Sequence, residues 1–143
     1  MSWFECKITY DKEIVAEGKQ KKVSEVYLLD AETFTDAEAR MTELMESRGA
    51  FTMDSVKKVR LAELFLDNKS ERFYKAKVGF ITLDEKAGVE KKKYVQMLIQ
   101  ANNFKEALDG LNRGMSGTMS DYEIAMIQET VIMDVYPYEP KVA

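Results

Sequence analysis

Two stretches place aromatic rings and ammonium groups on one side of an extended chain. Trp3, Glu5 and Lys7 alternate in WFECKITY, and Phe73, Lys75 and Lys77 alternate in RFYKAKVGF, so each set shares a strand face. Rings placed this way can stack on bases while lysines meet phosphates, which is how single-stranded nucleic acid is held without base readout. The same residues also suit a plainer role, with Trp3 and Phe73 packed under a helix and the lysines in water. Two lysine groups follow, Lys19, Lys21 and Lys22 in one place and Lys91, Lys92 and Lys93 in the other. They could form anion-binding spots, or they could keep exposed sheet edges from pairing with other chains.

Two carboxylates sit inside apolar alternations, Glu63 among Val59, Leu61 and Phe65, and Glu129 among Ile127, Val131 and Met133. A pair of inward carboxylates could act as acid and base or hold a hard cation, or each could simply be met by a lysine or by backbone donors. Cys6 alternates with Phe4, Ile8 and Tyr10, the setting of a small buried residue and not of a reactive thiol. Met41, Met45, Met115 and Met133 fall at core spacing and read as gap-filling side chains. The chain has no histidine, which removes imidazole triads and the commonest zinc ligand. It also has no glycine-rich phosphate loop and no CxxC pair. No cofactor and no metal site is expected.

A net charge of −4 argues against a generic duplex-DNA binder, which would need a broad basic surface. One cysteine cannot form an internal disulfide, and no apolar run reaches membrane-spanning length, so a cytoplasmic protein without a membrane partner is expected. At 143 residues the chain is long enough for one compact domain with a real core.

The elements that would carry these residues can be placed in order. An amphipathic strand covers 3–10, a polar loop with Gly18 follows, and a second strand runs from about Lys21 to Ala31 with Tyr27, Leu29 and Ala31 inward. A helix is predicted over Thr35 to Arg48, with Thr35 and Glu38 at capping-box spacing, an Ala37, Met41, Leu44 and Met45 stripe, and Gly49 as its stop. A third strand spans about Val56 to Asp67, and Asn68 to Glu71 is a tight turn suited to a hairpin. Strands from about Arg72 to Leu83 and Lys91 to Ala101 come next, then a helix over Phe104 to Met115 capped by Asn103 and Glu106. Gly110, Gly114 and Gly117 should leave it short or frayed. A last strand covers Tyr122 to Tyr136, with Ala125, Ile127, Val131, Met133 and Val135 on one face, stopped by Pro137 and Pro140.

At an offset of seventy the two halves fall into register: Trp3 on Phe73, Lys7 on Lys77, Gly18 on Gly88, Lys21 on Lys91, Lys22 on Lys92, Leu28 on Leu98, Ala37 on Ala107 and Met45 on Met115. The matches keep the period of each element, so the expected fold is α+β. It consists of internally duplicated β-β-α-β units with pseudo-twofold symmetry, a mainly antiparallel sheet packed by two helices. Residues 1–143 then form a single domain, with repeat 1 over about 3–67 and repeat 2 over about 73–136.

The segments WFECKITYDK, RFYKAKVGFITLDEKAGVEKK and SDYEIAMIQETVIMDVYPY resemble a family of small uncharacterised proteins from gut Bacteroidales and their phages. The likeness covers nearly the whole chain and implies a one-domain cytoplasmic or phage-encoded protein without an assigned activity. It carries no active site with it.

Three functions follow in order of preference. The first is a non-enzymatic, sequence-tolerant binder of single-stranded nucleic acid, with Trp3, Phe73, Lys7, Lys75 and Lys77 as a duplicated platform beside Lys21, Lys22, Lys91 and Lys92. The alternative is an assembly protein or homodimer that uses the strand edge near the hairpins, or the last strand with its Tyr136, Pro137, Tyr138 tail. An enzyme resting on Glu63 and Glu129 comes third.

Overall fold

The computed structural model describes residues 1–14 and 18–138. The chain divides into two compact units, one built from Met1–Arg60 with the stretch from Val131 onward, the other from Leu61–Thr130.

In the first unit, β1 (Ser2–Ile14) and β2 (Lys19–Ala31) form an antiparallel hairpin. Helix α1 (Phe34–Met45), a 3-10 turn (Glu46–Arg48) and β3 (Thr52–Val59) follow. Alternation puts Phe4, Cys6 and Ile8 on one face of β1, and Ala37, Met41 and Met45, four apart on α1, close over them. Tyr27, Leu29 and Ala31 of β2 complete this core, and each fully buried large side chain contributes about 1.5–3 kcal/mol. Burial pushes the Cys6 thiol up to about 11, as befits a small core residue.

The cap of α1 is Thr33 and not Thr35. Thr33 is extended, and its hydroxyl accepts from the Asp36 amide at 3.1 Å, so the helix begins one residue before the expected cap. Its last turn tightens to 3-10 geometry before Gly49 stops it with φ 98°.

The second unit begins with β4 (Glu63–Phe65). It continues through β5 (Arg72–Asp84), β6 (Val89–Ala101), α2 (Phe104–Gly114) and β7 (Tyr122–Glu129). Asn103 caps α2 as expected by accepting from the Glu106 amide at 2.9 Å, while the Glu106 carboxylate accepts from the Asn102 amide at 3.0 Å. Leu111 and Met115 pack with Ala76, Val78, Met97 and Ile99, and Ala107 packs with Tyr74 and Ala101. The helix glycines have a packing reason. A Cβ on Gly114 would stand 2.4 Å from the Phe65 ring, and one on Gly110 would stand 3.2 Å from Ile99.

Each sheet is completed by a strand from elsewhere in the chain. β8 (Ile132–Tyr136) pairs parallel with β2, giving the order β3-β1-β2-β8, and β4 pairs parallel with β6, giving β4-β6-β5-β7. The single strand expected over Val56 to Asp67 is therefore two strands in two different sheets, and so is the one expected over Tyr122 to Tyr136. Thr130 marks the second break, its amide and hydroxyl both donating to the Phe73 carbonyl at 2.9 and 2.8 Å. Beyond the break Ile132 is buried while Val131 and Met133, expected inward, are exposed; a register shift between Val26 and Tyr27 then skips Met133, and Val135 is buried as expected. Pro140 lies outside the described residues.

The turn over Asn68 to Glu71 does not close a hairpin, because β6 lies between β4 and β5. It is held by Asp67, whose carboxylate accepts from the Lys69 amide at 2.9 Å and the Ser70 hydroxyl at 3.0 Å. Gln100 supports it further, accepting from the Asp67 amide at 2.8 Å and donating to the Ser70 carbonyl at 2.7 Å. The Lys69 amide bond, with the Ser70 bond behind it, keeps the Asp67 carboxyl below the ordinary range.

Candidate nucleic-acid interface

Strand alternation sorts the candidate residues. In the first unit Trp3, Lys7 and Lys22 share the sheet face that points away from α1, while Lys21 lies on the α1 side. In the second unit Phe73, Lys75, Lys77 and Lys92 share the face away from α2, and Lys91 lies on the α2 side. Trp3 and Lys75 are half-buried, and Lys7, Lys21, Lys22, Lys77, Lys91 and Lys92 are exposed. Phe73 retains only 2 % of its surface, so its ring offers no stacking face in this structure. Phe73 shares its strand face with Lys75 and Lys77 but not their exposure.

Further along the same face, where β5 and β6 run on toward their turn, an aromatic ring is exposed. Tyr94 of β6 stands opposite Gly79 of β5, and its ring lies so close that a Cβ on Gly79 would be 2.9 Å from its Cε1. Lys77, two residues along β5, holds its ammonium 4.6 Å from the ring centroid. Lys92, two residues along β6, ion-pairs with Glu123 at 3.1 Å, and this hydrogen bond raises its pKa. Tyr94 keeps 46 % of its surface, and Leu83 beyond it is exposed as well. A glycine inside a strand signals close approach by a neighbour. The sequence reading overlooked this at Gly79.

The lysine groups have a second, structural explanation. β8 covers β2 only over Val26–Leu29, and β4 covers β6 only over Met97–Ile99, so among the described residues the outer edges of Lys19–Glu25 and Val89–Val95 have no strand neighbour. Lys19, Lys21 and Lys22, and Lys91, Lys92 and Lys93, fall on those bare edges, where lysine discourages pairing with other chains. Lys91 also pairs with Asp84 at 2.9 Å, which lowers the Asp84 pKa.

Glu63 and Glu129 do not form a buried acidic pair. Both are exposed and lie on the two edge strands of one sheet, and Glu129 stands 3.7 Å from Arg72. Among the described residues no three His, Cys, Asp or Glu side chains are grouped to hold a metal ion.

The most concentrated polar cluster is one the sequence reading missed. Glu25, on the α1 side of β2, accepts from Tyr10 at 2.6 Å and from the Tyr27 hydroxyl, and Arg48 donates to that same hydroxyl at 2.7 Å. Tyr136 stacks on Tyr27 at 5.7 Å. Burial alone would raise the Glu25 pKa, but the two phenol bonds and Arg48 outweigh it, and the carboxyl sits below its usual range. Tyr27 is pushed up to about 12 by burial and by its bond to Glu25. A phenol held this way is a donor, not a base, so the cluster orders the sheet. The residues seventy positions on from Tyr10, Glu25 and Tyr27 are Phe80, Val95 and Met97, an ordinary apolar core.

Each unit also has a surface groove beside its parallel strand pair. The first, about 920 Å³, is lined by Asp30, Asp36, Arg40, Glu43 and Tyr138, and the second, about 770 Å³, by Phe65, Asp67, Gln100, Gly110 and Arg113. Arg40 is spent on the tail, donating to the Asp30 carbonyl and the Pro137 carbonyl at 2.7 Å each, and its guanidinium lies 5.5 Å from the Tyr138 ring. Arg40 and Asp30 in the first groove thus fasten the tail after β8, and Asp67 and Gln100 in the second hold the β4–β5 turn.

A family model described as a domain of unknown function, DUF4494, matches residues 2–138. The chain belongs to that family. No curated protein and no solved structure matches it. Within the described residues of this DUF4494 member, no helix is long and apolar enough to cross a membrane.

Proposed function

We propose that this DUF4494 protein is a non-enzymatic binding module that holds single-stranded nucleic acid, without base readout, on the face of the β5–β6 hairpin that carries Tyr94. The observation that supports this reading is the exposed Tyr94 ring seated on Gly79 with the Lys77 ammonium 4.6 Å from its centroid. A base stacked on such a ring contributes about 1–3 kcal/mol, and Lys77 and Lys92 beside it add a salt-dependent attraction for the backbone. The position of Tyr94 is filled by Ser24 in the first unit and that of Gly79 by Thr9, so the stacking position is single, while Lys7 and Lys22 repeat Lys77 and Lys92. Phe73, being buried, has no part in it. A labelled short oligonucleotide titrated with the protein tests this: binding should weaken roughly tenfold between 50 and 200 mM salt for two to three phosphate contacts.

The chain also reads as a duplicated unit. β1 and β5 begin at Ser2 and Arg72, β2 and β6 end at Ala31 and Ala101, and β3 and β7 begin at Thr52 and Tyr122. The strand registers slip at Lys7/Ile8 and again at Lys77/Val78. A shared ancestor of both halves accounts for all four coincidences at once.

A further inference from the structure

We infer that a second copy of this chain docks on the outer edge of β7, pairing the two β7 strands antiparallel about a twofold axis. Among the described residues no strand pairs with that edge, which runs for eight residues, Tyr122–Glu129. The other open edges are guarded. Lys57 and Lys58 lie on β3, lysines line the bare stretches of β2 and β6, and β4 and β8 are only three and five residues long. β7 carries no lysine, arginine or proline. Its two carboxylates are turned back into their own unit, Glu123 to Lys92 at 3.1 Å and Glu129 to Arg72 at 3.7 Å.

The backbone of β7 is self-complementary in one register. Asp121 accepts from the Ile81 amide and Thr130 donates to the Phe73 carbonyl, so both residues point toward β5. Counting by alternation from each end, Tyr122 and Ile124, then Glu129 and Ile127, present their N–H and C=O groups outward. The two counts are out of phase by one residue, which the bulge at Ala125 absorbs. A twofold that places Tyr122 opposite Glu129 of the second copy, and Ile124 opposite Ile127, therefore joins outward groups to outward groups. That register sets Glu123 against Gln128 and Ala125 against Met126, with no like charges facing. The neighbouring even register would place Glu123 against Glu129 and leave the outward groups unmatched.

Sedimentation of the full chain from low micromolar to near-millimolar concentration tests this, together with two substitutions at the exposed Gln128. The wild type should form a dimer. Gln128→Glu, which opposes Glu123 of the second copy at two symmetric places, should weaken it roughly tenfold, and Gln128→Lys should not weaken it. Amide exchange at Ile124 and Ile127 should slow as the dimer forms. A monomer at every concentration, a dimer that both substitutions leave unchanged or weaken equally, or exchange at Ile124 and Ile127 that ignores concentration would each overturn the inference.

Discussion

Tyr94 lies across Gly79 on the neighbouring strand, close enough that a Cβ at position 79 would stand 2.9 Å from its Cε1. Gly79→Ala should therefore swing the ring off its seat and away from Lys77. Oligonucleotide affinity should fall several-fold, while thermal stability changes by less than about 1 kcal/mol, because the ring is at the surface and can move. Titrations of both proteins, each paired with a melting curve, check this.

Gly114 reverses the usual helix rule. An alanine in a helix is normally better than glycine by about 1 kcal/mol, but here its Cβ would stand 2.4 Å from the Phe65 ring. Gly114→Ala should destabilise by about 1–3 kcal/mol, as overpacking does, and urea unfolding measures it.

The Glu25 cluster predicts a pH dependence. Its carboxyl is held below the usual range in the folded chain, so its contribution is complete above the unfolded value and is lost as pH falls through the folded one. Glu25→Gln should cost about 1–3 kcal/mol at neutral pH. Melting curves from neutral to acidic pH should show a shallower acid limb for the variant than for the wild type.

Met41 is fully buried beneath β1 and β2. Met41→Asp should cost more than about 4 kcal/mol, since an unpaired charge would enter the core. Truncation after Thr130, which removes β8 from the first sheet and Tyr136 from Tyr27, should also destabilise that unit strongly. Far-UV circular dichroism with thermal melts reads both.

The strands and the helix stripes were legible because burial imprints a period on them, as Phe4, Cys6 and Ile8 or Ala37, Met41 and Met45 show. The exchange of β4 and β8 was not, since an alternating run such as Val56 to Asp67 records which side faces inward but not which sheet it joins. Thr33 lost to Thr35 on paper because both stand three residues before an acidic side chain. Phe73 carries the same alternation as Lys77, and alternation says nothing of burial on the second face of a sheet. Tyr94 could have been found by folding the hairpin about its Gly88 turn, which brings it opposite a strand glycine.

The most direct measurement is the affinity of a labelled single-stranded oligonucleotide for the wild type, Tyr94→Phe and Tyr94→Ala at low salt. If the ring stacks on a base, Tyr94→Phe should bind within about twofold of the wild type, and Tyr94→Ala should lose roughly 5- to 100-fold, the equivalent of about 1–3 kcal/mol. Equal binding by all three proteins, or no binding by the wild type at low salt, would contradict the proposed function.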